Sequence, residues 1–337
     1  MKSFENYSLL SHNTFGLDAK CRRFVEYATV EDACQVAHML AGTDAYLVIG
    51  GGSNLLLTRD YDGIVVRSGI MGHEVLRRDS DFVWVRVGSG ECWDRFVETC
   101  IAHGWYGAEN LSLIPGDVGA SAVQNIGAYG VEACSLIEEV EAVSIATGET
   151  VVFSASDCAY GYRQSRFKQD WKNLYLITYV TYRLHLKFEP RLDYGNIRAE
   201  LERLGIRQPS AQELRDVIVA IRNKKLPDPK VEGNAGSFFV NPVVSKEKFR
   251  QLQTRYPDMP HYFVDEEREK IPAGWMIEQC GWKGRQLGRA GVHAKQALVL
   301  VNKGGATGQE IVALSDAIRE DVRKKFDIEI YPEVNII

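Results

Sequence analysis

The stretch LSLIPGDVGASAVQNIGAYG, residues 111–130, constrains this chain more than any other, because four glycines and three alanines interrupt an otherwise apolar run. Small residues at that density let backbone approach something flat and bulky. Gln124 and Asn125 add amide edges able to hydrogen-bond a heteroaromatic ring. A second such stretch stands upstream, where AYLVIGGGSNLLL (45–57) runs an apolar strand into Gly50, Gly51 and Gly52, followed by Ser53 and Asn54. Those glycines let the chain turn with its N–H groups exposed, a nest suited to a diphosphate. On these residues alone a plain glycine-rich hairpin is an equal reading. A G-x-G-x-x-G fingerprint would need glycine where Leu55 stands and a helix after the loop, whereas YDGIVVRSG reads as another strand. Taken together, two polar-tipped, small-residue loops read as one nucleotide cofactor bound twice.

Period-two alternation predicts strands in FVWVRVGSG (82–90), VEAVSIATGETVVF (140–153) and LYLITYVTYRLHL (174–186). Helical spacing marks VEDACQVAHMLAG (30–42) and WDRFVETCIAHG (93–104), the latter closed by glycine. Strand clusters flanked by a few helices indicate an α+β class and no regular βαβ repeat. A capped amphipathic helix with a proline-rich connector, PSAQELRDVIVAIRNKKLPDPK (209–230), is the best domain boundary in a chain of 337 residues. Beyond it NPVVSKEKFRQLQTRYP, AGWMIEQCGW, ALVLVNKG and GQEIVALSDAIREDVRKKF suffice for a separate α+β lobe. Ser237 follows this connector, and ligand sites favour such boundaries.

A net charge of −5 argues against nucleic acid or an anionic membrane as partner, so an anionic ligand must meet locally placed Lys and Arg. Seven scattered cysteines without a C-x-x-C pair suggest reduced thiols, and the seven histidines form no cluster, so no catalytic metal is expected. The start MKSFENYSLLSHNTF lacks a basic segment followed by an apolar one, and no run is long enough for a membrane span. A cytoplasmic monomer is expected.

Four short stretches carry residue types suited to chemistry: YGYRQSRF with Arg163, RNKKLPDPK with Arg222 and Lys225, GNAGSFF with Ser237, and IYPEVN with Glu333. Singly they read as surface cations, a turn and a terminal strand. In order, with Asn13-Thr14-Phe15, GGGSN, IPGDVGASAVQNIGAYG, AGWMIEQCGWKG and VHAKQALVLVN, they resemble the UDP-N-acetylenolpyruvoylglucosamine reductase family over nearly the whole chain. DYGNI, with Tyr194, marks the subtype with a tyrosine-bearing substrate loop.

The resemblance implies a two-subdomain FAD-binding fold of the vanillyl-alcohol-oxidase (PCMH) type, in segments 1–68 and 69–222, and a C-terminal α+β substrate-binding domain, 223–337. It implies non-covalent FAD on Gly50, Gly51, Gly52, Ser53 and Asn54 and on the loop 114–128, through Ile114, Pro115, Gly116, Gly119, Ala120, Gln124, Asn125, Gly127 and Ala128. Arg222 is implied on the flavin side. NADPH is the implied co-substrate, and a UDP-sugar is implied on Tyr129, Tyr194, Lys225, Asn241 and Gln296. Ser237 is implied as proton donor, with Arg163 and Glu333 stabilising the intermediate. These types suit an enolate-like state: Arg163 can fork onto its carboxylate, a protonated Glu333 can donate a hydrogen bond, and a neutral serine can deliver a proton. Asn335 and Val240 depart from the family pattern by standing where relatives often have cations. Three rivals are weaker. A serine hydrolase would rest on Ser165-Arg166-Phe167-Lys168, without the S-D-N and K-T-G partners. A non-catalytic nucleotide-binding module has no use for a donor serine with an arginine and an acid. Another FAD-dependent sugar oxidoreductase of this fold is disfavoured by KLPDPK and GNAGSFF.

Overall fold

Three stretches of sequence, Met1–Tyr7, Cys21–Gly51 and Asp62–Lys224, build the first of two units in the computed structural model, which describes residues 1–43 and 45–337. Its four-stranded sheet runs in the order Lys2–Ser8, Lys20–Tyr27, Tyr61–Ser68, Tyr46–Ile49. The last two strands are parallel, with Tyr46 opposite Ile64 and Ile49 opposite Arg67. Helix α1 (Val30–Leu40) starts where the Thr29 hydroxyl accepts from the Asp32 N–H. Ala33, Val36, Ala37 and Leu40 form its buried stripe at helical spacing and share a core with Val143, Ile145 and Leu176.

A five-stranded antiparallel sheet follows, in the order Thr150–Ser154, Ile137–Ser144, Tyr175–His185, Phe82–Gly88, His73–Arg78. The stretch 140–153, expected as one alternating strand, is therefore a hairpin. Gly148, at φ +72°, takes a left-handed turn conformation that L side chains rarely adopt. Helix α2 (Trp93–His103) closes at Gly104 with φ +71°, as its terminal glycine predicts. Its buried Trp93, Phe96, Val97 and Cys100 join the core of this sheet, together with Val118 and Ala122 of α3 (Val118–Gln124). Helix α4 (Ile197–Arg203) and α5 (Ala211–Lys225) share a smaller core of Ile197, Leu201, Leu214, Val217 and Ile218. Full burial of such side chains stabilises by about 1.5–3 kcal/mol each. A capping box begins α5: the Ser210 hydroxyl accepts from the Glu213 N–H at 3.2 Å, and the Glu213 carboxylate accepts from the Ser210 N–H at 2.8 Å.

The second unit comprises Ser8–Lys20, Gly52–Tyr61 and Lys225–Ile337. It holds an antiparallel sheet in the order Asn234–Ser237, Val299–Asn302, Ala290–Val292, Gln286–Leu287, and a smaller one of Val243–Ser245, Arg268–Lys270 and Tyr262–Phe263. Leu55–Leu56 pairs in parallel with Asn335–Ile336. Around these pack α6 (Lys246–Arg255), α7 (Ala273–Gln279) and α8 (Gly308–Phe326), the last opened by a Thr307–Glu310 capping box. Phe15, Leu17 and Leu56 are buried in the same core as Phe238, Phe239, Ile277 and Ile318. Backbone ties hold the early segment there: the Asn234 N–H donates to the Thr14 carbonyl at 2.9 Å, and Asn302 Nδ2 donates to the Phe15 carbonyl at 3.0 Å.

Candidate active site

Gly50 and Gly51 meet the second small-residue stretch within the first unit. A Cβ on Gly50 would stand 3.1 Å from the Ala120 Cβ, and one on Gly51 would stand 3.1 Å from the Gly116 Cα and 3.3 Å from Asp117 Oδ1. A Cβ on Gly119 would stand 2.9 Å from the Ser89 Cβ. The cradle therefore closes to within a methyl group wherever these glycines stand, which is why they are glycines. The second stretch is not loop throughout, because α3 occupies its middle and the short strand Gly127–Ala128 follows, pairing with Val131–Glu132.

Asn125 ends α3 in the left-handed region at φ 42° and is fully buried. Its Nδ2 donates to the Gly161 carbonyl at 2.8 Å and to Glu132 Oε2 at 3.0 Å, and its Oδ1 accepts from the Cys134 N–H at 3.0 Å. Both ends of the amide expected to face a ring thus engage protein groups. Arg67, outside the set chosen from sequence, lies beside the cradle: its NH2 donates to Asp117 Oδ2 and its NH1 to Glu26 Oε2, both at 3.3 Å. Burial pushes the Asp117 carboxyl up despite this guanidinium. A lone cation ending an apolar strand was the sequence signal for Arg67.

Arg163 is itself left-handed, at φ 56°. Its guanidinium donates to the Asn125 carbonyl at 3.3 Å and to the Gly127 carbonyl, and Lys168 Nζ donates to the Arg163 carbonyl at 3.0 Å. Tyr129, at φ 49°, has its carbonyl held by Asn110 Nδ2 at 2.9 Å. A Cβ on Gly195 would stand 3.6 Å from the Tyr129 ring, and one on Gly130 would stand 3.4 Å from the Tyr194 Cβ, so the tyrosine-bearing loop lies on Tyr129 and Gly130. The Tyr194 side chain is half exposed. Burial pushes the Arg222 guanidinium down, opposed by the Tyr129 phenol, and its Nε is buried without a hydrogen-bond partner among the described residues. Burial likewise pushes the Tyr129 phenol up, with Arg222 opposing.

In the second unit Ser237 ends its strand exposed, flanked by buried Ala235 and Phe238 and preceded by Gly236 at φ +68°. The Glu333 N–H donates to the Phe238 carbonyl at 2.8 Å, and Phe239 bridges Pro332. Phe238, the residue after Ser237, and Glu333 are thereby hydrogen-bonded neighbours although far apart in sequence. Asn54 Nδ2 donates to the Glu333 carbonyl at 3.4 Å. Asn241 and Gln296 converge on the start of α7: Asn241 Oδ1 accepts from the Ala273 N–H at 2.9 Å, and Gln296 Oε1 lies 3.4 Å from where a Gly274 Cβ would stand. Lys225 is exposed.

Gly52 is left-handed at φ +67°, and a Cβ there would run into the His12 carbonyl. Gly52→Ala is expected to lower stability by at least about 1–2 kcal/mol, the left-handed cost alone. Urea titration checks this, and an unchanged midpoint would refute the geometry. Among the described residues no three His, Cys, Asp or Glu side chains are grouped so as to hold a metal ion.

A glycine-closed cradle and a buried guanidinium with an orphaned Nε fit a large, flat, anionic cofactor. Residues 22–154 match the FAD binding domain family, and this chain is an FAD-dependent oxidoreductase. Residues 228–337 match the UDP-N-acetylenolpyruvoylglucosamine reductase C-terminal domain. The chain is 55% identical to the UDP-N-acetylenolpyruvoylglucosamine reductase of Bacteroides fragilis (strain YCH46), over 99% of each chain. It is 49% identical to that of Porphyromonas gingivalis (strain ATCC BAA-308 / W83), over 99% of this chain and 98% of the relative. The solved UDP-N-acetylenolpyruvylglucosamine reductase from Thermus caldophilus shares the fold, with a TM-score of 0.68 at 22% identity over 99% of this chain and 98% of that one. The chain belongs to the UDP-N-acetylenolpyruvoylglucosamine reductase family.

Proposed function

We propose that this chain reduces the enolpyruvyl ether of UDP-N-acetylglucosamine enolpyruvate to UDP-N-acetylmuramate with NADPH, in the cytoplasm, as a monomer supplying peptidoglycan precursor synthesis. One observation supports the site assignment: the Glu333 N–H donates to the carbonyl of Phe238, the residue after Ser237. Bound FAD would supply the hydride chemistry, taking hydride from NADPH and delivering it to the terminal carbon of the enolpyruvyl group. Negative charge then grows on the adjacent carbon and its carboxylate. Arg163 forks onto that carboxylate, and Glu333, kept protonated, donates to it. Ser237 Oγ gives its proton to the basic carbon and is reprotonated from solvent.

Gly50 to Asn54 and the loop 114–128 hold FAD in this assignment, with Arg222 on the flavin side and segments 1–68 and 69–222 as the two flavin subdomains. Segment 223–337 is the substrate-binding domain. Tyr194 and Lys225 take the diphosphate, and Tyr129, Asn241 and Gln296 the sugar nucleotide. Asn335 spends its backbone N–H and its Nδ2 on the Asn54 carbonyl, at 3.2 and 3.1 Å, so a strand-pairing role fills the position where relatives often place a cation. No helix among the described residues is long and apolar enough to cross a membrane.

The purified protein is expected to be yellow, to bleach with NADPH and to regain colour on addition of the enolpyruvyl sugar. Acid precipitation should leave all flavin in the supernatant. Colour in the pellet would refute non-covalent binding, and failure of the sugar to restore colour would overturn the reaction.

A further inference from the structure

A partly buried ion pair stands behind the 114–128 loop without any part in the chemistry above. Arg215, on α5, is 5% exposed. Its NH1 donates to Asp94 Oδ1 at 2.7 Å and its NH2 to Asp94 Oδ2 at 3.0 Å, a fork, while NH2 also donates to Glu98 Oε1 at 2.7 Å. Asp94 Oδ1 accepts a further hydrogen bond from the Leu113 N–H at 2.5 Å. Burial pushes the Asp94 carboxyl up, but Arg215 and the Leu113 N–H outweigh it and hold it below its ordinary value.

Leu113 is the unusual partner. Its φ is +58°, a conformation unfavourable for a bulky L side chain, and it directly precedes Ile114, Pro115 and Gly116. Strain of that kind persists only where surrounding groups over-determine it. The start of α2 supplies those groups: Trp93 Nε1 donates to the Leu111 carbonyl at 2.9 Å, Asp94 takes the Leu113 N–H, and the Trp93 N–H donates to the Gly116 carbonyl at 3.0 Å. Only the middle contact is charged, and only it depends on α5.

We propose that Asp94 and Arg215 are positioning residues for the flavin: Asp94 clamps Leu113 in its left-handed conformation and so sets the 114–116 backbone, while Arg215 keeps the clamping carboxylate charged and aimed. This rests on FAD lying against the loop 114–128. A bare salt bridge joining α2 to α5 would make Asp94 indifferent to the residue at 113, whereas a clamp matters less once residue 113 adopts positive φ without strain.

The test follows flavin release from the full-length loaded protein, read as the rise in flavin fluorescence after dilution. Asp94→Ala should speed release about tenfold or more, the scale of a left-handed penalty no longer opposed. Leu113→Gly alone should release near the parental rate, because glycine takes positive φ freely. In the Leu113→Gly background, Asp94→Ala should cost less than about a third of its effect in the parent. Equal acceleration in both backgrounds, or none in the parent, would overturn the proposal. If Asp94→Ala does not fold, Arg215→Lys keeps the charge but loses the fork and is carried through the same two backgrounds, with the same outcomes deciding. A colourless parent protein would instead overturn flavin binding itself.

Discussion

Replacing Ser237 by alanine is expected to slow the return of flavin colour on adding the enolpyruvyl sugar by about 10²–10⁴-fold, the range for losing a general acid. Bleaching by NADPH should stay near the parental rate. The asymmetry follows from what Ser237 is asked to do. A nucleophilic serine needs a base to remove its proton, and none is required of a serine that gives its proton to a carbon made basic by hydride arrival. The local structure suits this role, since Ser237 is exposed at the end of its strand while Ala235 and Phe238 on either side are buried. Ser237→Cys should keep part of the activity, because a thiol still donates. Stopped-flow absorbance follows bleaching and recovery separately. Equal slowing of both would reduce Ser237 to a turn residue.

Arg163→Met should lower kcat and kcat/KM together by about 10²–10³-fold, the scale for removing one preorganised donor to a developing charge. In the proposed function its guanidinium would meet a substrate carboxylate whose charge grows toward the transition state, so ground-state affinity should change less than turnover. Arg163→Lys keeps the charge without the fork and should recover only part of the loss. The structure adds a second duty, because the same guanidinium donates to the Asn125 and Gly127 carbonyls. Flavin content therefore has to be measured beside the rates. A rise in KM with kcat untouched would assign Arg163 to binding alone.

Much of the local architecture was legible in the residues. The apolar stripe of α1, the glycine that closes α2 and the Ser210 cap of α5 are decided within a few residues of themselves, and each appears where its pattern predicts. The glycines at 50, 51 and 119 were also legible, because a missing Cβ is a statement about space that no other residue can make. Alternation misled at 140–153, where the chain turns back at Gly148, and Val151, Val152 and Phe153 pair with Ala142, Glu141 and Val140.

What composition and periodicity determined by themselves was the α+β class, most helices and strands and the two small-residue stretches; the ordered motifs carried the resemblance to the family. Tertiary structure alone decided that Ser8–Lys20 and Gly52–Tyr61 fold with Lys225–Ile337, that the Glu333 N–H donates to the carbonyl of Phe238 next to Ser237, and that Arg67 pairs with Asp117 and Arg215 with Asp94 around the second small-residue stretch. Parallel pairing of Leu55–Leu56 with Asn335–Ile336 joins the chain's early part to its end, and nothing local in either dipeptide specifies the other. The physical reason is range. Backbone propensity and side-chain period act over one or two turns, whereas burying a charge or closing a distant strand pair is favourable only after the intervening chain has folded and supplied the partner.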